Sequence, residues 1–309
     1  MTNIMRPIPS DFEKFGRIPS VLFLGCCTLL CTVGNTLVLL SLKCYPYLRT
    51  PARVILGSLA MCDLIMAFPM FIKIYSWATK DFNGVHADIQ AGLSTTLVST
   101  ASLHICLISI DRFISIRYAL RYISVVTITR IAKLLALIWC ITIILVGFVT
   151  LFIATVAPDS GAKSILFYRK PRMKGFNIHR IHPWVIFYKT LTFVVFFVLP
   201  FVTIIICYAY ISRIAYVKRR SIRSELVVVA PGNRKNTKTI FIVVVLYSIL
   251  NAPFSVVCVL QALDKDLSLV NWTGCLLLIA SLASCINPYI YAYRDRHFKH
   301  AFKKILSCK

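Results

Sequence analysis

His104-Ile-Cys-Leu-Ile-Ser-Ile-Asp111-Arg112-Phe113-Ile-Ser-Ile-Arg-Tyr118 sets an acid and a base side by side at the end of a long uncharged run. From Ile89 to Ile110 there is no Asp, Glu, Lys or Arg, and at about 1.5 Å per residue such a run spans roughly 30 Å, the hydrocarbon thickness of a bilayer. It reads as a membrane helix. A charge near the centre of such a helix costs ~2.5 to 3.5 kcal/mol and less toward its edge, so the pair is expected at an exit or among partners. Two readings of the pair stand at this point. In one, Arg112 snorkels into lipid head groups with Asp111 as its counter-ion; in the other, the pair is functional.

Composition extends the membrane reading to the whole chain. The 309 residues are 58% hydrophobic and 15% charged, with a mean hydropathy of +0.78, whereas a soluble domain carries about a quarter charged residues. Seven runs are long enough to span: about Ile18 to Leu42, Val54 to Tyr75, Ile89 to Ile110, Leu134 to Val156, Thr190 to Ser212, Thr239 to Leu263 and Leu267 to Tyr293. The predicted fold is an all-α membrane protein, a seven-transmembrane helix bundle over residues 18–293. A tail over 1–17 precedes it, and a short amphipathic helix with a tail follows over 294–309. In that helix Phe298, Ala301, Phe302, Ile305 and Leu306 recur at helical spacing with bases between them, which suits the inner leaflet.

Orientation follows from charge. Lys and Arg number 22 in the connections after spans one, three, five and seven, against 13 in the amino-terminal tail and the other loops. The positive-inside rule then puts the amino terminus outside and the carboxyl terminus in the cytoplasm of a multi-pass plasma-membrane protein. Span one is expected to act as an uncleaved signal anchor. The net charge of +24 does not point to nucleic acid, because the bases flank spans, where anionic membrane lipids are the nearer partner.

Twelve cysteines would suggest a disulfide scaffold in a small secreted protein, but here all except Cys44 and Cys308 fall within the spans. None has metal-ligand spacing, and no nucleophile, histidine and acid cluster can be read, so neither an enzyme, a cofactor nor a metal site is expected. Cys308 lies where palmitoylation would occur, on a weak juxtamembrane signal. In the spans, Asn35 is expected to bond across to another helix. Asp63 lies deep in span two; it is either a functional carboxylate or a structural acceptor facing Asn35. Trp139 in span four reads as packing. Pro200, Pro253 and Pro288 interrupt spans five, six and seven and make hinges there, Pro200 and Pro253 above all.

Taken in order, Gly34-Asn35, Leu59-Ala60-Met61-Cys62-Asp63, Asp111-Arg112-Phe113, Trp139, Pro200 with Tyr208, Pro253, Asn287-Pro288 with Tyr291, and the Phe298 and Phe302 helix resemble a rhodopsin-like, class A, G-protein-coupled receptor over essentially the whole chain. The resemblance implies a receptor that converts binding of an extracellular ligand into nucleotide exchange on a heterotrimeric G protein. It assigns Asp111, Arg112, Tyr208, Asn287, Pro288 and Tyr291 to coupling and activation. It puts Asn35, Asp63, Asn251 and Ser284 in a buried polar network, with a sodium ion near Asp63 as a further implication. Ser94, Val98, Cys258, Leu277 and Ser281 become ligand-pocket candidates.

The chain also departs from that pattern. Ala87 stands where the family places the disulfide cysteine of span three, Asn251 where it places an aromatic switch, and Ala101 and Ala283 where the sodium site has polar groups. No acid near Asn233 offers Arg112 a second lock. Ser94 stands where aminergic relatives place an aspartate, so a cationic amine is not supported, and span seven has no retinal-bearing lysine, which counts against a light-driven pump. A transporter is the remaining alternative, and the paired halves it would show are missing. The loop from Pro158 to Lys189 carries seven bases against Asp159; it either touches lipid head groups or steers an anionic ligand inward.

Overall fold

The computed structural model describes residues 10–79, 85–149, 183–221, 231–263 and 270–307. Among them seven long helical segments follow one another, here called spans one to seven: Ser10–Cys44, Pro51–Thr79, Val85–Arg117, Ile128–Thr142 with Ile143–Phe148, Pro183–Phe193 with Val194–Val198 and Leu199–Ser221, Pro231–Leu263, and Val270–Arg294. A terminal helix, Arg296–Leu306, closes the described chain. No strand occurs among these residues. Five helices carry apolar windows long enough to cross a bilayer, namely Ile18–Cys44, Pro51–Ser76, Gly92–Arg117, Ile128–Phe148 and Thr190–Ile214, and span six holds a shorter one at Phe241–Val257.

Two boundaries differ from the sequence expectation. Span three continues to Arg117, so Asp111 and Arg112 lie inside the helix and not at its exit. Span four begins at Ile128, ahead of the apolar run, because the Thr127 hydroxyl accepts from the Arg130 N–H at 3.3 Å and caps it there. In both cases charges end the hydropathy while the backbone ladder runs on. The expected end of span four, beyond residue 149, lies outside the described residues.

The proline positions also resolve differently. In span five the wide-turn segment Val194–Val198 stands just ahead of Pro200. Proline has no N–H to donate, and a local i→i+5 turn absorbs the missing bond. Pro253 leaves Pro231–Leu263 one uninterrupted helix, and Pro288 sits within span seven.

Spans two and three are the axis of the bundle: 61% and 56% of their apolar windows are buried, against 22% for spans four and five. Span three packs on spans two, four, five and six. The core runs from Val38 and Leu59 through Ile105 and Ile108 to Val244, Tyr247 and Tyr291. Gly34 is where span one meets span seven, since a Cβ there would lie 2.9 Å from the Pro288 Cβ. Outside, Leu22, Phe68, Phe71, Phe148, Phe187 and Ile206 are exposed, a surface that suits lipid and not water. Asp295 caps the terminal helix by accepting from the His297 N–H at 2.9 Å, which aims Phe298, Ala301 and Phe302 into the bundle and leaves Arg296, Lys299, Lys303 and Lys304 exposed.

Candidate functional site

At the end of the bundle where span three finishes, Asp111 and Arg112 are both buried. Adjacent helical residues point about 100° apart, yet the long guanidinium folds back onto its neighbour. Arg112 Nε donates to Asp111 Oδ2 at 2.9 Å, and Nη2 donates to the same oxygen. Tyr122, on the short helix Tyr122–Val125 after span three, donates its hydroxyl to Asp111 Oδ1 at 2.7 Å. Burial first, and then the Asp111 carboxylate, push the Tyr122 phenol well above its ordinary pKa, so it stays a donor.

Beside this pair lies a cavity of about 410 Å³ bordered by Arg53, Arg112, Tyr122, Tyr291, Asp295 and Phe298, among others. Arg53, from the start of span two, bonds Asp295 at 3.1 Å and stands 5.8 Å from the Phe298 ring centre. This ties span two to the junction between span seven and the terminal helix. Tyr208 of span five packs on Phe241 of span six, with ring centres 4.9 Å apart. The hydroxyls of Tyr208 and Tyr291 are buried with no hydrogen-bond partner among the described residues. Tyr208 faces Ser109, whose hydroxyl donates to the Ile105 carbonyl at 2.9 Å and keeps its lone pairs.

A second polar layer lies deeper. Asn287 Nδ2 donates to Asp63 Oδ2 at 3.1 Å, and the Ser284 side chain faces the same carboxylate. Asn35 does not reach Asp63; its amide donates to the carbonyls of Cys31 at 2.9 Å and Ser284 at 3.2 Å, so it bridges spans one and seven. Cys31 Sγ, a weak donor, meets the Asp63 carbonyl at 3.1 Å. The buried Asn251 turns to its own helix, where its amide donates to the Tyr247 carbonyl at 3.0 Å. A carbonyl one turn back thus satisfies the Asn251 amide locally, whereas Asp63 is met by Asn287 and Ser284.

Trp139 does more than pack. Its indole N–H donates to Ser58 Oγ at 3.1 Å, and Ser58 lies 2.7 Å from His104 Nε2. The other imidazole nitrogen, Nδ1, lies 2.8 Å from the Thr100 carbonyl. A carbonyl only accepts, so in the neutral ring Nδ1 carries the hydrogen and Nε2 accepts from Ser58. Every polar atom of this cluster joining spans two, three and four is thus used.

Toward the opposite end is a smaller cavity of about 50 Å³. Of the pocket candidates, Ser94, Val98 and Ser281 border it, together with Asn251 and Ser284. The Cys258 and Leu277 side chains, Cys308, and the basic loop over 158–182 lie outside the described residues. Among the described residues no group of three metal-binding side chains occurs.

The arrangement has the order of a known family. The profile of the 7 transmembrane receptor (rhodopsin family) matches residues 34–291. This chain belongs to the rhodopsin family of seven-transmembrane receptors. It is a class A receptor and a multi-pass, seven-helix membrane protein. It is 25% identical to the human alpha-1D adrenergic receptor over 93% of this chain and 56% of that protein. With the zebrafish (Danio rerio) melatonin receptor type 1B-B it shares 25% identity over 91% of this chain and 79% of the relative. The chain spans little more than half the length of the alpha-1D receptors it matches.

The geometry adds residues to those read from the sequence. Tyr122 completes the Asp111 site from a loop helix of a single turn, too short to leave a periodic signal. Arg53 and Asp295 meet across the fold with no shared motif. Lys73 borders the smaller cavity, and its signal was present in the sequence as a base within a membrane run.

Proposed function

We propose that this receptor couples an extracellular ligand to GDP release on a heterotrimeric G protein at the plasma membrane, with the Arg112 end in the cytoplasm. The observation that carries this reading is the buried Arg112 held by Asp111 beside a cavity of about 410 Å³. In the resting state Asp111 holds the guanidinium, and Tyr122 holds Asp111. An agonist near Ser94 and Ser281 swings the inner end of span six outward about Pro253, and Arg112, Tyr208 and Tyr291 then line a crevice for the carboxyl-terminal helix of the α subunit. The two orphaned phenols favour such a change, because a buried hydroxyl without a partner costs ~1 to 3 kcal/mol until it finds one. Work is done by a population shift, not by covalent chemistry. The terminal helix rests its bases on anionic lipid of the inner leaflet, and Cys308 is a candidate for palmitoylation.

The family membership and the Asp111–Arg112 pair together favour this reading over a transporter, and Ser94 disfavours a cationic amine as agonist. The test is GTP-analogue loading on a panel of chimeric α subunits by the purified receptor in nanodiscs, first without ligand. Exchange above the receptor-free rate supports coupling. Solute uptake into sealed vesicles with no exchange on any subunit favours the transporter.

A further inference from the structure

The Arg53–Asp295 pair is favoured by one of its two helices and opposed by the other. Arg53 is the third residue of span two, whose first turn Thr50 caps by accepting from the Arg53 N–H at 3.4 Å. A cation there opposes the helix dipole, so its partner must account for the placement. Asp295, at the N-cap of the terminal helix, sits where a carboxylate suits the dipole, and each of its oxygens has a task. Oδ1 accepts from the His297 N–H at 2.9 Å, and Oδ2 accepts from Arg53 Nη2 at 3.1 Å. The two side chains are only 12% and 15% exposed, and the guanidinium lies against the Phe298 ring. Water and salt therefore screen this pair less than a surface pair. The Asp295 N–H donates to the Tyr291 carbonyl at 2.8 Å, and the Tyr291 ring centre is 6.0 Å from that of the fully buried Phe298. Backbone and ring thus both connect the pair to Tyr291.

We propose that Arg53 is a positioning residue for activation: with Asp295 it forms a clamp that holds the end of span seven on span two and keeps Tyr291 in its resting place. The clamp opens when the receptor turns on. This deepens the coupling reading and rests on it. The Tyr291 hydroxyl is buried with no partner among the described residues, so it gains by moving to one. Arg112 and Tyr291 border the same cavity of about 410 Å³, which gives the phenol room to move. Some contact must hold it back, and the Arg53–Asp295 pair pins the junction from which Tyr291 hangs. Asp295 is the one acid on that cavity's border among the described residues, and Arg53 keeps it engaged there. The bond that caps the terminal helix and the bond that clamps it share one carboxylate, so a variant can remove the second and keep the first.

The test compares the wild type with Arg53→Gln, Asp295→Asn, the double variant and Arg53→Lys, each as the full chain in nanodiscs. Asparagine still caps a helix, so Asp295→Asn removes the charge and not the cap. Ligand-free GTP-analogue loading is read per folded receptor, beside hydrogen–deuterium exchange of the backbone over residues 288–299. Each single variant should raise loading about 5- to 20-fold, between the roughly fivefold that a surface pair reaches and the roughly hundredfold of a fully buried charged hydrogen bond. Deuterium uptake at the junction should quicken with it. The double variant should match either single one, because the second change removes a partner already idle, and Arg53→Lys should restore most of the wild-type value. A merely structural pair would lower the unfolding temperature and leave loading per folded receptor unchanged. That result overturns the proposal, as does additive loading in the double variant or an Arg53→Lys as active as Arg53→Gln. If Asp295→Asn does not fold, the two Arg53 variants decide. Should neither the wild type nor any variant load an α subunit, the coupling reading fails by itself. Deuterium uptake then judges the clamp: faster in Arg53→Gln and restored in Arg53→Lys keeps it, and unchanged uptake removes it.

Discussion

Two buried polar clusters sit on span three, eight residues apart, and they are built on opposite terms. At His104 every hydrogen has a place: Trp139 to Ser58, Ser58 to His104, His104 to Thr100. At Arg112 a charged pair borders a cavity, and two phenols nearby are buried without partners. A satisfied neutral network has nothing to gain from rearranging, so it fastens spans two, three and four. The phenols beside the charged pair retain a cost that a different arrangement recovers. The first cluster is thus a fixed pivot, and the second is the part of the bundle with two competing states.

The largest test of this contrast is Arg112→Ala. We expect nucleotide exchange to fall to the receptor-free rate, with surface expression largely kept, because the guanidinium serves the crevice more than the fold. Flow cytometry paired with GTP-analogue loading checks this. Signalling retained at equal expression would return Arg112 to the lipid-snorkelling reading. Next in size is Tyr122→Phe. Removing the donor to Asp111 costs a bond of ~1.5 to 3 kcal/mol, and if only the resting state makes that bond, basal exchange rises about tenfold or more until the active state dominates. Unchanged basal exchange would mean that both states keep it.

How far the sequence carried these assignments depends on the kind of interaction. Seven spans were legible because burial in lipid demands long apolar runs. Their ends were not, since Asp111, Arg112 and Arg130 interrupt the hydropathy without stopping the helix. Asp111 and Arg112 were legible as neighbours in the chain. Tyr122 and the Ser58 partner of Trp139 were not, because the hydrogen bonds that define them join residues 11 and 81 positions apart. Asn251 shows the same limit from the other side: an amide in hydrocarbon signals a need for partners, which Asn35 meets across to span seven and Asn251 on its own helix.

The pivot itself is tested by Trp139→Phe, which keeps most of the ring and removes the N–H. Cross-helix hydrogen bonds in membranes average ~0.6 kcal/mol and reach ~1.7, so a drop of a few degrees in unfolding temperature is expected. Exchange per folded receptor should stay at the wild-type value. A change in basal exchange at matched folded protein would show that the His104 cluster also moves between states, and the contrast with the Arg112 end would fail.

The smallest effect is expected at Asn251, although its place in the family belongs to an aromatic switch. Its amide donates to the Tyr247 carbonyl one turn back, and Tyr247 in turn donates its hydroxyl to the Val98 carbonyl of span three at 3.1 Å. The tie between spans six and three therefore runs through Tyr247, and Asn251 only supplements a bond inside its own helix. Asn251→Ala removes that bond and also improves helix propensity by up to ~0.7 kcal/mol, so the two terms nearly cancel. We expect unfolding temperature and basal exchange within error of the wild type, whereas Tyr247→Phe loses the cross-helix bond and lowers stability measurably. If Asn251→Ala instead shifts basal exchange while Tyr247→Phe does not, Asn251 has a partner on another span in the active state, and the switch assigned to the Arg112 end extends into the middle of the bundle.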